Sequence, residues 1–240
     1  MTAPKDTLYE QLARLGKALA APRRVEILDA LAQGPRTVER LAAATGLSLA
    51  NASQHLQVLR RARLVESEKR GLFVTYRLAG DEVGALLVRL REAGEAQLAE
   101  LRLAREELLS SIGQAERLDR DALIARIGSG EAILIDVRPR EEYLAGHLPG
   151  ALSIPLEELD ERLRDLGDDR EVVAYCRGPW CLLSADAVRM LSRRGVRASR
   201  LEDGVLEWRA AGRRIVTGEE PAAARTRTPR PRRRERRRSK

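Results

Sequence analysis

The sequence predicts two domains: a mainly α-helical domain, then an α/β domain in which helices flank a parallel sheet. Three observations predict this division. The chain has 240 residues, a length typical of two small domains. Apolar residues recur at helical spacing through most of residues 1–112, whereas short apolar runs alternate with helical segments after position 119. Hydrophobic residues make up 43% of the chain, which is enough for two ordinary cores.

The first elements are predicted to be helices. Residues 6–21 carry leucines at 8, 12, 15 and 19, which form one apolar helical face, and Asp6 is expected to cap its start. Pro22 interrupts this helix. A second helix resumes after the proline, and Gly34-Pro35 ends it.

A helix–turn–helix and a hairpin are expected next. Thr37 can cap a short helix through Ala44, Gly46 supplies the sharp corner, and Ser48 caps a second helix. Residues 64–78 change to β-forming residues around a turn at Lys69-Arg70-Gly71. Residues 81–112 are predicted to form one long, Leu-lined helix. Together these elements indicate a winged helix–turn–helix fold.

The second helix of the pair carries polar side chains suited to double-stranded DNA, because such a helix fits the major groove. Residues 36–80 also form the only basic stretch before the tail, with a net charge of +5. The candidates are Ser48, Asn51, Ser53, Gln54, His55 and Gln57 for base edges, and Arg60, Arg61, Lys69 and Arg70 for phosphates. The alternative is a small helical domain whose polar faces are merely solvated.

Residues 19–78 resemble the ArsR-type transcriptional repressors. The resemblance lies in the S-x₄-S-x-H-L-x-x-L pattern of residues 48–59 and in the wing at 70–78. It implies a homodimer, joined through the first and last helices, that represses its own operon from a palindromic operator. Metal-sensing relatives carry cysteine or histidine ligands, but residues 37–45 contain no cysteine and residues 81–118 contain neither. No metal site is therefore predicted in this domain.

The second domain is predicted from alternating strands and helices. Asp119 opens a short helix to Ile127. The expected strands are 133–137, 172–175 and 198–201, and the expected helices are 156–166, 184–194 and 205–211. Residues 113–118 are predicted as a linker, and the domain is expected to span 119–220.

Both cysteines of the chain lie in the segment Cys176-Arg177-Gly178-Pro179-Trp180-Cys181. The segment joins a predicted strand to a helix, where backbone N–H groups and the helix N-terminus favour a thiolate at Cys176. Two cysteines cannot build a disulfide framework. Two alternatives are a zinc site, for which only His55 and His147 could add ligands, and a purely structural cysteine pair.

Residues 119–218 resemble rhodanese domains. The first signature block runs from Asp136 and Arg138 through Glu142-Tyr143 to Gly146-His147, and the closing block is Asp203-Gly204 with Trp208. The resemblance implies sulfur transfer without a cofactor: Cys176 attacks the sulfane sulfur of thiosulfate, a polysulfide or a persulfide. Asp136, Arg138, His147, Gly178 and Trp180 are expected to support the loop.

The loop departs from the family pattern at two positions. Pro179 replaces a glycine, and Cys181 replaces an arginine whose charge would help to bind a small dianion. Arg177 is expected to substitute in part, and Cys181 is a candidate resolving thiol. These departures put efficient use of thiosulfate in doubt.

The favoured interpretation is a DNA-binding regulator whose C-terminal domain senses or transfers sulfane sulfur. The alternatives are a sulfurtransferase fused to a regulator of another signal, and a rhodanese module used only for protein interaction. The sequence shows no apolar run of 18 residues and no signal peptide, so a cytoplasmic protein with no membrane partner is expected. Residues 221–240 are predicted to be a disordered basic tail, with a net charge of +9 over 225–240.

Overall fold

The structure is a computed structural model that describes residues 4–71, 73–110, 117–162 and 170–220, apart from the side chain of Arg70. The basic tail and the segment 111–116 lie outside the described residues. Among the described helices, none combines the length and apolar character needed to cross a bilayer.

The N-terminal domain contains six helices and a three-stranded sheet within the described ranges. The helices are α1 (Pro4–Leu19), α2 (Pro22–Ala32), α3 (Val38–Thr45), α4 (Leu49–Arg61), α5 (Asp81–Gln97) and α6 (Ala99–Ser110). The strands are β1 (Arg36–Thr37), β2 (Val65–Arg70) and β3 (Phe73–Leu78), in the order β1-β3-β2 with antiparallel pairing. This arrangement confirms the predicted winged helix–turn–helix.

Local sequence signals determine the turn between α3 and α4. The Thr37 side chain accepts a hydrogen bond from the backbone N–H of Arg40, and the Ser48 side chain accepts one from that of Asn51. Gly46 adopts φ +63°, a left-handed conformation that most side chains disfavour. Leu56 and Leu59 of α4 are fully buried, as their helical spacing predicted.

Two predicted elements of this domain differ in detail. The single long helix over 81–112 is wrong, since α5 ends at Gln97, Leu98 adopts an extended conformation, and α6 begins at Ala99. Periodicity missed the break because the Leu pattern continues across it. The hairpin turn also lies later than expected, because Lys69 and Arg70 belong to β2 and Gly71, with φ +62°, begins the turn.

The C-terminal domain is built on a five-stranded parallel sheet with the strand order β4-β8-β7-β5-β6. Its strands are β4 (Arg117–Leu118), β5 (Ala132–Asp136), β6 (Leu152–Ser153), β7 (Glu171–Tyr175) and β8 (Ala198–Leu201). Its helices are α7 (Arg120–Gly128), α8 (Arg140–Ala145), α9 (Leu159–Arg162), α10 (Leu183–Arg193) and α11 (Val205–Ala210), with a 3₁₀ turn at Leu156–Glu158.

The central strands are apolar along their length because both faces of the sheet are covered. All five residues of β5 are buried, and so are four of the five in β7. One core cluster includes Leu123, Val173 and Trp208, and another lies beneath α10. The predicted parallel α/β fold is therefore confirmed.

The sheet begins earlier than expected. Residues 117 and 118, predicted as linker, form the edge strand β4, and Leu118 is buried in the core. Helix α8 and strand β6 were not predicted, since six and two residues are too few to show a period. The expected helix over 156–166 is present as the 3₁₀ turn and α9, and residues 163–169 lie outside the described part.

Candidate functional site

The predicted DNA-facing side chains lie along α4 and the wing. Seven of them are exposed: Ser48, Asn51, Gln54, Gln57, Arg60, Arg61 and Lys69. Ser53 and His55 are half-buried, so they are less available to a base edge. The hydroxyl of Ser48 also caps α4, which gives that residue a structural role independent of DNA.

Arg60 links α4 to the wing, because its Nη1 donates to the Ser67 hydroxyl of β2 at 3.3 Å. Lys69 is exposed near the tip of β2, and Arg70 ends that strand. Helix α4 and the wing are thus held as one surface, which is the arrangement that major-groove recognition needs.

The second candidate group surrounds Cys176, which follows β7 and precedes α10. Its side chain is 1% exposed, and its sulfur lies 3.2 Å from the Ser184 hydroxyl and 3.5 Å from the Cys181 carbonyl oxygen. Cys181 is only partly buried, and neither cysteine is in a disulfide. The sequence predicted this loop, but it gave no signal for Ser184.

The surroundings of Cys176 favour its thiolate. Burial alone raises the pKa of Cys176, but hydrogen bonds from the Cys181 thiol, the Ser184 hydroxyl and the backbone at Ser184 and Gly178 outweigh it and lower that pKa to about 6. The pKa of Cys181 is raised, since its thiol donates to Cys176, is partly withdrawn from water and faces the charge on Cys176. Of the two thiols, Cys176 therefore ionises more readily, and Cys181 is the proton donor of the pair.

Asp136 and Arg138 form the rigid base of the site. They pair at 2.6 Å with both side chains fully buried, and the Tyr175 hydroxyl donates to Asp136 at 2.6 Å. Arg138 also donates to the carbonyl oxygen of Gly146 at 2.7 Å. These bonds join the carboxyl ends of β5 and β7 to the signature loop.

His147 is buried beneath the same loop. Its ring stacks on that of Tyr143 with centroids 3.7 Å apart, and its Nδ1 lies 2.9 Å from the Tyr143 carbonyl oxygen. Its backbone pairs with Val216, so the segment after α11 is fastened to the signature loop. His147 is thus a structural residue of the loop.

Arg177 is held by Glu142, a residue of the signature block for which the sequence predicted no role in the site. Its Nε and Nη2 donate to the Glu142 carboxylate at 2.9 and 2.7 Å. Arg36 of β1 donates to the same carboxylate at 2.6 Å. Glu142 therefore connects the cysteine loop with the winged domain, and Arg177 is already engaged there.

Gly178 and Gly204 allow two segments to approach closely. A Cβ at Gly178, which has φ +131°, would lie 2.8 Å from the Glu207 carboxylate. A Cβ at Gly204 would lie 2.5 Å from the backbone carbon of Arg177. The cysteine loop therefore packs directly against the start of α11.

The cysteine loop also contacts the helices of the winged domain. The Trp180 indole donates to Glu95 of α5 at 2.8 Å, and the Arg91 guanidinium lies 5.3 Å from the centre of the Trp180 ring. On α2, Gln33 donates to the Arg177 carbonyl oxygen at 3.5 Å and accepts from Arg138 at 3.1 Å. Trp180, predicted to support the loop, thus joins the loop to α5.

A cleft of about 320 Å³ opens between the two domains at this point. Its walls come from α2, α5 and the cysteine loop; they are Asp29, Arg91, Arg177, Gly178, Trp180, Cys181, Leu182 and Leu183. Cys181 lines the cleft, whereas Cys176 is buried behind it. Among the described residues, no group of three histidine, cysteine or acidic side chains is arranged to hold a metal ion.

The fold and site define a winged helix–turn–helix protein fused to a rhodanese-type sulfur domain. Comparison with protein families agrees: residues 21–67 match the bacterial regulatory protein, arsR family, and residues 119–211 match the rhodanese-like domain. The HTH-type transcriptional regulator Rv0324 of Mycobacterium tuberculosis is 47% identical over 208 residues, which cover 87% of this chain and 91% of that protein. The chain belongs to the ArsR family of transcriptional regulators and carries a C-terminal rhodanese domain.

Two further relatives match one domain each. A sulfurtransferase of Allochromatium vinosum is 32% identical over 103 residues, covering 42% of this chain and 95% of that protein. The solution structure of the homodimeric winged helix–turn–helix DNA-binding domain (fragment 1–100) of Mb0332 from Mycobacterium bovis is 43% identical. It covers 42% of this chain and 93% of its own, with a TM-score of 0.39.

Proposed function

We propose that this ArsR-family regulator senses sulfane sulfur at Cys176 and that the modified cysteine changes its affinity for operator DNA. One observation carries the proposal: the loop that holds Cys176 is bonded to α5 through Trp180 and to α2 through Gln33. A sulfur site that contacts the DNA-binding domain can shift the conformational equilibrium of that domain, whereas an isolated sulfur site cannot.

The sulfur step is a nucleophilic displacement. The Cys176 thiolate attacks the outer sulfur of a persulfide donor, R–S–SH; the donor S–S bond breaks, R–S⁻ leaves and takes a proton, and Cys176 carries a persulfide. A polysulfide reacts in the same way: its terminal sulfur is transferred to Cys176, and the rest of the chain, one sulfur shorter, leaves. Cys181 can then lose its proton to water and attack the outer sulfur of the persulfide; the S–S bond breaks, Cys181 carries the persulfide and Cys176 leaves as a thiolate.

Close packing would transmit the change. An added sulfur atom needs space beside a cysteine that is 1% exposed, so the loop must shift. Gly178 lies against Glu207, and Glu207 pairs with Arg91 of α5. Displacing the loop would therefore shift both the Arg91 and the Trp180 contacts, and these would displace α5.

The proposal includes a homodimer bound to double-stranded operator DNA in the cytoplasm. An apolar groove with a volume of about 680 Å³ lies between α1, the start of the wing and α5. Leu8, Leu12 and Leu86 line this groove and are all exposed in the single chain. Burying this face against a second copy would remove a large apolar surface from water.

A DNA-binding titration tests the function. Full-length reduced protein first selects its operator from random-sequence DNA, and its affinity for that fragment is measured by fluorescence anisotropy before and after treatment with sodium polysulfide. Mass spectrometry confirms addition of sulfur at Cys176. We expect an affinity change of about 5- to 150-fold, which corresponds to a coupling of about 1–3 kcal/mol.

Two cysteine variants complete the design. Cys176→Ser should bind the operator normally and ignore polysulfide, whereas Cys181→Ser should respond but retain the persulfide longer. An unchanged affinity in wild-type protein whose Cys176 is fully persulfidated would refute sulfur sensing. It would then favour the second candidate, a sulfurtransferase fused to a regulator of another signal.

A further inference from the structure

Arg200 is a buried cation that the sulfur chemistry described above does not use. It lies on β8, between the edge strand β4 and strand β7, and is 1% exposed. Within the part of the chain that the structure describes, its Nε and Nη2 have no hydrogen-bond partner. A buried guanidinium is costly unless negative charge lies near it, so the anionic groups around Arg200 need to be identified.

Strand pairing places Arg200 beside the cysteine loop. β8 runs parallel to β7, and Arg200 pairs with Ala174, two residues before Cys176. Ala174 and Cys176 belong to one core cluster beneath α10, and paired residues of neighbouring strands share a face. Arg200 therefore lies under the first turn of α10, whose Ser184 contacts the Cys176 sulfur.

The other charged groups near Arg200 are already engaged. Glu202, which directly follows β8, is shared between Arg105 of α6 and Arg117 of β4, each at 3.5 Å. Burial lowers the pKa of Arg200, and the charge on Cys176 is the strongest influence that raises it again. On the cysteine's own loop, Arg177 is paired with Glu142 and Cys181 is a neutral donor.

We propose that Arg200 is the positioning residue that holds Cys176 as a thiolate, and that it supplies from the sheet the positive charge lost from the loop at Cys181. The same charge would face the persulfide anion formed after sulfur transfer. The role of Arg200 toward the Cys176 thiolate does not depend on sulfur sensing. Only its role toward the persulfide rests on the proposed function.

Titration of the cysteine tests this role. In full-length protein with Cys181→Ser, Cys176 is the only cysteine, so the ultraviolet absorbance of its thiolate can be followed against pH. A Cys176→Ser/Cys181→Ser protein supplies the baseline. In the Arg200→Gln variant, the midpoint should rise by about one unit or more, which corresponds to at least about a tenfold smaller thiolate fraction below the midpoint.

A matched control separates charge at this site from general changes in the sheet. Arg117→Gln removes a guanidinium from the strand position paired with Arg200, but that residue is half exposed. The titration midpoint of Cys176 in the Arg117→Gln variant should match that in the parent protein. Circular dichroism and the thermal transition establish that each variant is folded.

Two outcomes overturn the proposal. One is a folded Arg200→Gln variant with the parental midpoint. The other concerns the Arg200→Lys variant, which keeps a cation in the core. The proposal fails if the titration midpoint of Cys176 in this variant rises to that of an ordinary cysteine. The Lys variant decides the question if the Gln variant does not fold. Because the titration uses neither DNA nor a sulfur donor, its failure is distinct from failure of sulfur sensing.

Discussion

Replacing Glu142 with glutamine should weaken the junction between the two domains. The buried Glu142 carboxylate accepts hydrogen bonds from Arg36 of β1 and from Arg177 of the cysteine loop. Glutamine keeps the size and one carbonyl oxygen but removes the charge. Two guanidinium groups then share a neutral acceptor.

The magnitude follows from the exposure of the three side chains. Removing one partner of a fully buried ion pair costs about 3–5 kcal/mol. The Arg177 side chain is 36% exposed, so water replaces part of what it loses, and the Arg36 side chain is only 14% exposed. We therefore expect Glu142→Gln to lower the free energy of unfolding by about 2–3 kcal/mol.

Urea denaturation followed by circular dichroism and tryptophan fluorescence measures this loss. Glu141→Gln is the matched control: the neighbouring glutamate pairs with Arg40, but both side chains are more than half exposed. Its expected cost is less than about 0.5 kcal/mol. Equal effects of the two substitutions would refute the reasoning, as would a Glu142→Gln variant as stable as the parent.

Three further predictions concern the cysteine, the tail and a glycine. The pKa of folded Cys176 is lowered to about 6, so the stability that its ionisation contributes is complete above the unfolded pKa of about 8.5 and is lost as pH falls toward 6. Urea denaturation at several pH values should show that Cys176→Ser lacks this part of the pH dependence. Parallel plots of unfolding free energy against pH for the variant and the parent would contradict the prediction. Deleting residues 225–240 should flatten the salt dependence of DNA binding and keep operator preference, as anisotropy at several salt concentrations would reveal. Gly204→Ala places a Cβ 2.5 Å from the Arg177 backbone and should lower the thermal midpoint, whereas Gly128→Ala, with open space around its Cβ, should not; equal midpoints would show that the loop yields easily.

Local signals in the sequence were sufficient at three helix starts, whereas Asp6, expected to cap the first helix, lies inside α1, which begins at Pro4. Thr37, Ser48 and Asp119 each accept the predicted capping hydrogen bond from the backbone three residues later. The cysteine loop was predictable for the same reason, since a strand, a turn and a helix follow one another within twenty residues. In these cases the interacting groups are neighbours along the chain.

Contacts between distant segments were not predictable. Trp180 and Glu95 are 85 residues apart, and Arg36 and Glu142 are 106 apart, so no periodicity connects them. Arg200 appeared to be one more arginine in a chain with 44 lysines and arginines. Only the sheet register shows that it lies beside Ala174 and beneath α10.

The two domains are not exchangeable parts. Gln33, Arg36, Arg91 and Glu95 of the winged domain are each bonded to, or stacked on, residues of the rhodanese domain. A chimera that joins this rhodanese domain to another winged domain would keep both folds but lose the junction unless those four side chains were transferred with it. Recombination between such regulators is therefore constrained by a small set of junction residues at the end of α2, on β1 and on α5, none of which belongs to α4.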